Sequence, residues 1–221
     1  MMMPATIAVA RNRLIERFRR EKPYHVNAKS RREAEYPRDM RVKGGVTKSR
    51  LEFVRDRGGE PAVEKVLARL SESDREVCAH VLTAMWYPFA LNSRLDEAIA
   101  AEMGIGEEIF LLIGEKSASH NLSAAHRAFI VDRDPHGLLR RASQIYQMYY
   151  DTGRRTYEKL GPTKAQLTTW ESQTYSKHDC LTVIGWHRKA IEMCGGTNVR
   201  VTETKCRANG ADSCEYLCEW D

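Results

Sequence analysis

Val199-Arg200-Val201-Thr202-Glu203-Thr204-Lys205-Cys206, a loop from Arg207 to Ser213, and Cys214-Glu215-Tyr216-Leu217-Cys218-Glu219-Trp220 form the stretch that decides the fold. Over residues 198–205, Val199, Val201 and Glu203 alternate with Arg200, Thr202 and Thr204, the two-residue period of a strand. Asn209-Gly210 is a turn signal, and residues 214–220 read as the closing strand. Just upstream, Val183 to Met193 reads as a helix ended by Gly195-Gly196. Residues 155–160 and 165–170 read as two further strands around Gly161-Pro162. The C-terminal half therefore runs strand–strand–helix–strand–strand, which predicts an antiparallel sheet.

Ahead of residue 155 helices dominate. Pro61 opens a predicted helix to about Leu70, with Val63, Val66, Leu67 and Leu70 on one face. Ser73 and Glu76 read as a capping box, and Trp86-Tyr87-Pro88 as a break. Leu91, Leu95, Ile99 and Met103 predict a helix over 89–103, followed by shorter helices over 107–114 and 119–131. Asp134-Pro135 caps a helix expected to run to Gly153. Segregated helices and adjacent strands define an α+β class, a helical N-terminal half followed by an antiparallel sheet.

The chain has 221 residues, 42% of them hydrophobic, enough for one large domain with an extension. Residues 1–41 hold eleven Lys/Arg against five Asp/Glu, whereas the rest hold 24 against 25. The basicity thus belongs to an N-terminal arm, expected to be an amphipathic helix over 5–21 and a linker over 22–45. The domain is expected over 42–221. A nucleic-acid-binding domain usually spreads basic charge over a folded face, which argues against that class here. The arm instead suits docking on a protein partner. No apolar run approaches a membrane span, and Met1-Met2-Met3-Pro4 is not followed by a signal core, so the expected compartment is cytoplasmic.

Five of six cysteines lie in the last 42 residues. In a reducing compartment, clustered cysteines point to metal more often than to disulfides. Cys206 and Cys214 bracket the loop, Glu203 lies three residues before Cys206, and Cys180 precedes the predicted helix. Three thiolates and a carboxylate suit Zn2+, with a charge of −2 that Lys205, Arg207 and Lys177 are placed to offset. On a regular strand Glu203 and Cys206 face opposite ways, so both ligate only if the strand bulges or ends first. Cys218 and His178 are reserve ligands. The competing reading makes these cysteines small core residues, as Cys78 and Cys194 are expected to be.

From Cys180 through Glu203, Cys206 and Gly210-Ala211-Asp212-Ser213-Cys214-Glu215-Tyr216, the tail resembles a 4-vinyl reductase domain, also found in sensory modules of bacterial aromatic-responsive activators. In its zinc-bearing members an upstream cysteine, a glutamate and two cysteines flanking a Gly-Asp loop hold the metal. The resemblance implies those roles for Cys180, Glu203, Cys206 and Cys214. Ala211, inserted between Gly210 and Asp212, departs from that pattern. Over about residues 43–220, Trp86-Tyr87-Pro88, Tyr149-Tyr150-Asp151-Thr152-Gly153, Gly185-Trp186, Gly195-Gly196 and the cysteine tail are similar to a paralogous family of myxobacteria with no assigned activity. Both resemblances imply the fold shared by vinyl-reductase domains, haem nitric-oxide-binding domains and vesicle-tethering subunits.

Tyr149 and Trp186 fall near the helix–sheet junction, where a pocket for a small apolar ligand would form. His120, His126, His178 and His187 read as surface or hydrogen-bonded residues, and a haem-ligand role for His187 has only fold analogy behind it. No phosphate loop, nucleophile elbow or HExxH motif is present in the sequence. The expectation is a non-enzymatic sensory or scaffold module with structural zinc. A homodimer through the helical half is also expected, by fold analogy and from the apolar residues of 77–113. The alternative is a reductase-associated enzyme of tetrapyrrole metabolism or a zinc-dependent hydrolase, if a metal position stays open.

Overall fold

A short strand, β1 (Arg41–Lys43), begins the computed structural model, which describes residues 40–221 apart from Ile105, Ala124 and Ala125. The arm helix expected over 5–21 and most of its linker lie outside the described residues. Met40 is buried, and β1 pairs antiparallel with β2 (Trp86–Pro88), so the Trp86-Tyr87-Pro88 break is a strand.

Between these strands run α1 (Gly44–Ala68) and α2 (Glu72–Ala79). The helix expected at Pro61 extends back to Gly44, because Leu51, Phe53 and Val54 bury against the core. Gly44 and Gly45 start this helix rather than close a linker: their N–H groups donate to Met85 O at 2.8 Å and Thr83 O at 3.1 Å. Gly59 bends α1 with φ +69°, a conformation glycine adopts at little cost, and Pro61 then sits where no helical N–H is needed. The cap of α2 is Ser71, which accepts from Asp74 N at 3.2 Å, not the expected Ser73 with Glu76. Ser71 holds the extended backbone that a cap needs, whereas Ser73 is already helical.

α3 (Phe89–Met103) buries Leu91, Leu95 and Ile99 at helical spacing and ends at Gly104. α4 (Glu108–Ser123) is one helix where two pieces were expected. The gap left over 115–118 is helical: Ser119 Oγ donates back to Glu115 O at 2.9 Å and Ala118 is fully buried. Past Ser123, the described part of the second expected piece includes a 3-10 turn at Arg127–Phe129. The helix expected from Asp134 to Gly153 divides into α5 (Pro135–Leu139) and α6 (Ala142–Tyr149). Arg141 leaves helical geometry there while its Nη1 donates to Ala128 O at 2.9 Å. Tyr150 is extended and bridges Val42.

β3 (Arg154–Gly161), β4 (Lys164–Trp170), β5 (Arg200–Lys205) and β6 (Ser213–Glu219) form an antiparallel sheet of spatial order β3-β4-β6-β5. Alternation along β6 buries Cys214, Tyr216 and Cys218. Their partners Thr169, Leu167 and Ala165 on β4 are buried beside them. α7 (Lys177–Met193) lies on that face, with Cys180, Val183 and Ile191 in the same apolar cluster. It starts at Lys177 rather than Val183, because Ser176 accepts from Asp179 N at 3.1 Å and caps the earlier turn. α7 meets α4 backbone to backbone: a Cβ on Gly185 would stand 2.0 Å from Leu111 O, and one on Gly114 would stand 2.1 Å from Thr182 O. On its other side α4 sends Ile109, Phe110 and Ile113 into a second cluster with α1 and α3. None of the described helices is long and apolar enough to cross a membrane.

Candidate functional site

The first turns of α7 and the β5–β6 connection meet at four side chains. Cys180 lies inside α7, a turn past the Ser176 cap, rather than ahead of the helix. Pairing of β5 with β6 runs Glu203↔Tyr216 and then Lys205↔Glu215, a register shift between the two pairs. β5 ends at Lys205. The bulge and the strand end together remove the facing conflict between Glu203 and Cys206. Donor atoms of Cys180, Glu203, Cys206 and Cys214 all lie within 4.8 Å of one another.

The sulfur separations are informative. Cys206 Sγ stands 3.7 Å and Cys214 Sγ 3.9 Å from Cys180 Sγ. A disulfide needs about 2.05 Å. A tetrahedron with zinc–sulfur bonds of about 2.3 Å has edges of about 3.8 Å. Glu203 Oε1 is buried with no hydrogen-bond partner, an orphan acceptor beside three thiols. The donor set therefore fits a zinc ion.

Local hydrogen bonding favours thiolates at Cys206 and Cys214. Hydrogen bonding from Cys180 brings the Cys206 thiol down to about 6, and the same donor lowers Cys214. Cys180, shared by both, is driven far up. Burial first, then the Cys206 charge, pushes Glu203 up to about 7. Arg207 N–H donates to Cys214 Sγ at 3.3 Å, and a backbone bond from Ala208 supports Cys206. Lys205 and Lys177 are committed elsewhere, to Glu215 and Glu107. The Arg207 guanidinium bonds Asp212 O and lies over Tyr175. Backbone N–H groups and the N-terminal end of α7, rather than the expected lysines, face the negative charge. The reserve ligands stand outside the cluster: His178 stacks on Phe110 at 4.2 Å, and Cys218 is a fully buried core thiol. Cys78 and Cys194 are likewise buried in apolar clusters.

A cavity of about 70 Å³ opens between α1, α4, α6 and α7. Tyr149 and Trp186 both line it. Its apolar wall includes Leu138, Leu139 and Ile145. Beside Ser49, Ser117, Asn121 and Thr182, the lining holds Arg50, Arg155 and His187, none of them assigned to a pocket from sequence. Arg50 is buried and donates from Nε to Asp96 Oδ1 at 2.6 Å and from Nη2 to Asp96 Oδ2 at 3.0 Å. Its Nη2 also reaches Asp179 Oδ1 at 3.2 Å. His187 Nδ1 donates to Val183 O at 2.8 Å, and burial brings its pKa down to about 3, so the ring is neutral. Nothing local marks either arginine: Arg50 lies between Ser49 and Leu51, and Arg155 between Arg154 and Thr156.

Solved structures share this arrangement of helices and sheet. The chain has an H-NOX-like fold. An H-NOX protein from S. oneidensis in the Fe(II)NO state matches with a TM-score of 0.64 at 15% identity, over 81% of this chain and 99% of that one. An unliganded Fe(II) H-NOX protein from K. algicida matches with a TM-score of 0.62 at 14% identity, over 81% and 96%. An oxygen-binding H-NOX domain related to soluble guanylate cyclases matches with a TM-score of 0.60 at 13% identity, over 81% and 95%. Residues 116–221 match the model of a family described as a protein of unknown function (DUF2378), a span holding the whole candidate metal site. No curated protein matches the chain.

Proposed function

We propose that this domain is a non-enzymatic sensory or scaffold module, in which zinc held by Cys180, Glu203, Cys206 and Cys214 fixes the C-terminal hairpin to α7. The observation that carries this reading is the convergence of four donor groups within 4.8 Å. Four protein ligands leave no open coordination position, and catalytic zinc keeps one. The cavity beside α7, with Tyr149 and Trp186 in its wall, is the place for a small ligand. The zinc-bearing sensory type of vinyl-reductase domain and the myxobacterial paralogues remain the relatives this reading favours. It includes a cytoplasmic protein, a homodimer through the helical half, where Leu82 and Met85 stand exposed, and a partner docked on the basic arm.

Haem features among the solved neighbours, but the cavity of this chain does not suit a porphyrin. His187 is the imidazole in its wall, with Nδ1 spent on Val183 O and Nε2 at 3.4 Å from Arg155 Nη1. Pockets for drug-sized ligands run to about 300–1,000 Å³, against 70 Å³ here. The residues present do not fit haem, and nothing in the proposed function passes through it.

Native mass spectrometry with metal analysis of the purified full chain tests the reading. One zinc per chain, lost on Cys206→Ser, is expected. Metal-free protein with all three thiols reduced sinks it.

A further inference from the structure

Arg155 is the feature that zinc does not explain. It is 7% exposed, in the second position of β3, and lines the cavity. Its Nε donates to Thr169 Oγ1 at 2.9 Å, and its Nη1 faces neutral His187. The guanidinium lies over the Tyr146 ring at 4.7 Å and the Tyr216 ring at 5.6 Å. Among the described residues no carboxylate comes within ion-pair distance of it. Asp179, which shares a smaller adjoining pocket with Arg155, is committed to Arg50 and to the Tyr150 hydroxyl.

The contrast with Arg50 decides what this means. Two buried cations line one cavity. Arg50 has two carboxylates and Arg155 has none. A buried charge is costly unless paired, so an unpaired guanidinium facing empty space calls for an anion. A second donor waits in the same wall: Tyr149 Oη is buried with no hydrogen-bond partner. Leu138, Leu139, Ile145 and Trp186 give the lining a hydrocarbon stretch, beside polar Ser49, Ser117, Asn121 and Thr182. We infer that the cavity receives a small monocarboxylate, its carboxylate on Arg155 and the Tyr149 hydroxyl, its hydrocarbon end against the leucines. Size limits the body: one water needs about 10–15 Å³ and a benzene-binding cavity measures about 150 Å³. A cavity of 70 Å³ takes an acid of two to about four carbons. Arginine suits this role because its planar fork pairs both carboxylate oxygens at once.

The inference rests on the ligand-binding part of the proposed function and is separable from the zinc part. The test is calorimetric titration of zinc-loaded full chain with acetate, propionate, butyrate and benzoate, beside butyramide and butan-1-ol, at constant ionic strength. Saturable binding of a short carboxylate, about tenfold or more tighter than its amide, is expected. Arg155→Met removes that preference with zinc content unchanged. Tyr149→Phe, which deletes only an unpartnered hydroxyl, weakens carboxylate binding several-fold. If Arg155→Met does not fold, the carboxylate-to-amide ratio and Tyr149→Phe decide. Equal binding of acid and amide overturns the anion assignment while leaving a ligand-binding cavity. Retained carboxylate preference in Arg155→Met overturns the role of Arg155. No binding of any probe at millimolar concentration overturns both the inference and the ligand reading, and leaves zinc to its own analysis.

Discussion

Cys180 Sγ and Cys206 Sγ stand 3.7 Å apart although 26 residues separate them in the chain. One belongs to a helix, the other follows a strand that runs past that helix on the sheet. Two sulfurs at this distance and no disulfide between them meet the edge length of a tetrahedral zinc site. A zinc ion there would hold the two elements at one point through four side chains rather than by packing alone.

Elemental analysis should return one zinc per chain, and Cys180→Ser, Cys206→Ser or Cys214→Ser should each lower it sharply. Glu203→Gln should retain folded protein but bind zinc more weakly, since the amide keeps the shape and loses the charge. Wild-type protein well below one zinc, purified without chelator, would falsify the site.

Zinc bound only by the folded chain adds its binding energy to folding. Cys206→Ser should therefore cost on the order of 5 kcal/mol, or prevent folding. Cys194→Ala, a small truncation in a buried apolar cluster, should cost about 1 kcal/mol. Urea midpoints measured with and without chelator check this, and a chelator should collapse the difference between wild type and Cys206→Ser.

Gly185→Ala separates two physical effects of opposite sign. Helix propensity alone favours alanine by about 1 kcal/mol. The added Cβ would meet Leu111 O at 2.0 Å, and backbone of a packed helix cannot move aside cheaply. A net loss of about 3 kcal/mol is expected, read as a lower urea midpoint with unchanged zinc content. A stabilised variant would mean that α4 and α7 do not cross as closely as described.

Acid stability should report His187. Its pKa is about 3 in the folded chain, below the ordinary 6.5, because burial and the nearby Arg155 disfavour the imidazolium. Between those values the unfolded chain holds the extra proton. The contribution is therefore complete above pH 6.5 and is lost as pH falls, at about 1.4 kcal/mol per pH unit. His187→Leu should remove about one proton from the slope of stability against pH between 4 and 6. Chemical denaturation across that range measures it, and an unchanged slope would show the ring already charged or exposed.

The legible parts of this chain are those whose evidence is local. The period of Leu91, Leu95 and Ile99 and the stop at Gly104 predict α3 at its observed bounds. Val199 to Trp220 predicts the hairpin, and the resemblance of the cysteine tail to a zinc-bearing domain implies which side chains meet. The illegible parts depend on distant partners. Whether Gly44-Gly45 starts a helix turns on carbonyls of Met85 and Thr83, and whether α4 is continuous turns on what covers Ala118. A burial pattern on β3 does not reveal that an arginine is the residue turned inward.

By itself, then, the sequence determined the α+β division and the hairpin, because periodicity and turn chemistry are written in consecutive residues, while the four donor groups came from the resemblance of the cysteine tail to a zinc-bearing domain. It also fixed the surplus of positive charge in residues 1–41. The tertiary structure decided the bulge that turns Glu203 and Cys206 to one side, the burial of Arg50 with Asp96 and Asp179, and the unpaired state of Arg155. Arg50 lies 46 residues from Asp96 and 129 from Asp179. Whether a buried charge is matched depends on which groups share its low-dielectric surroundings, and chain folding alone chooses them.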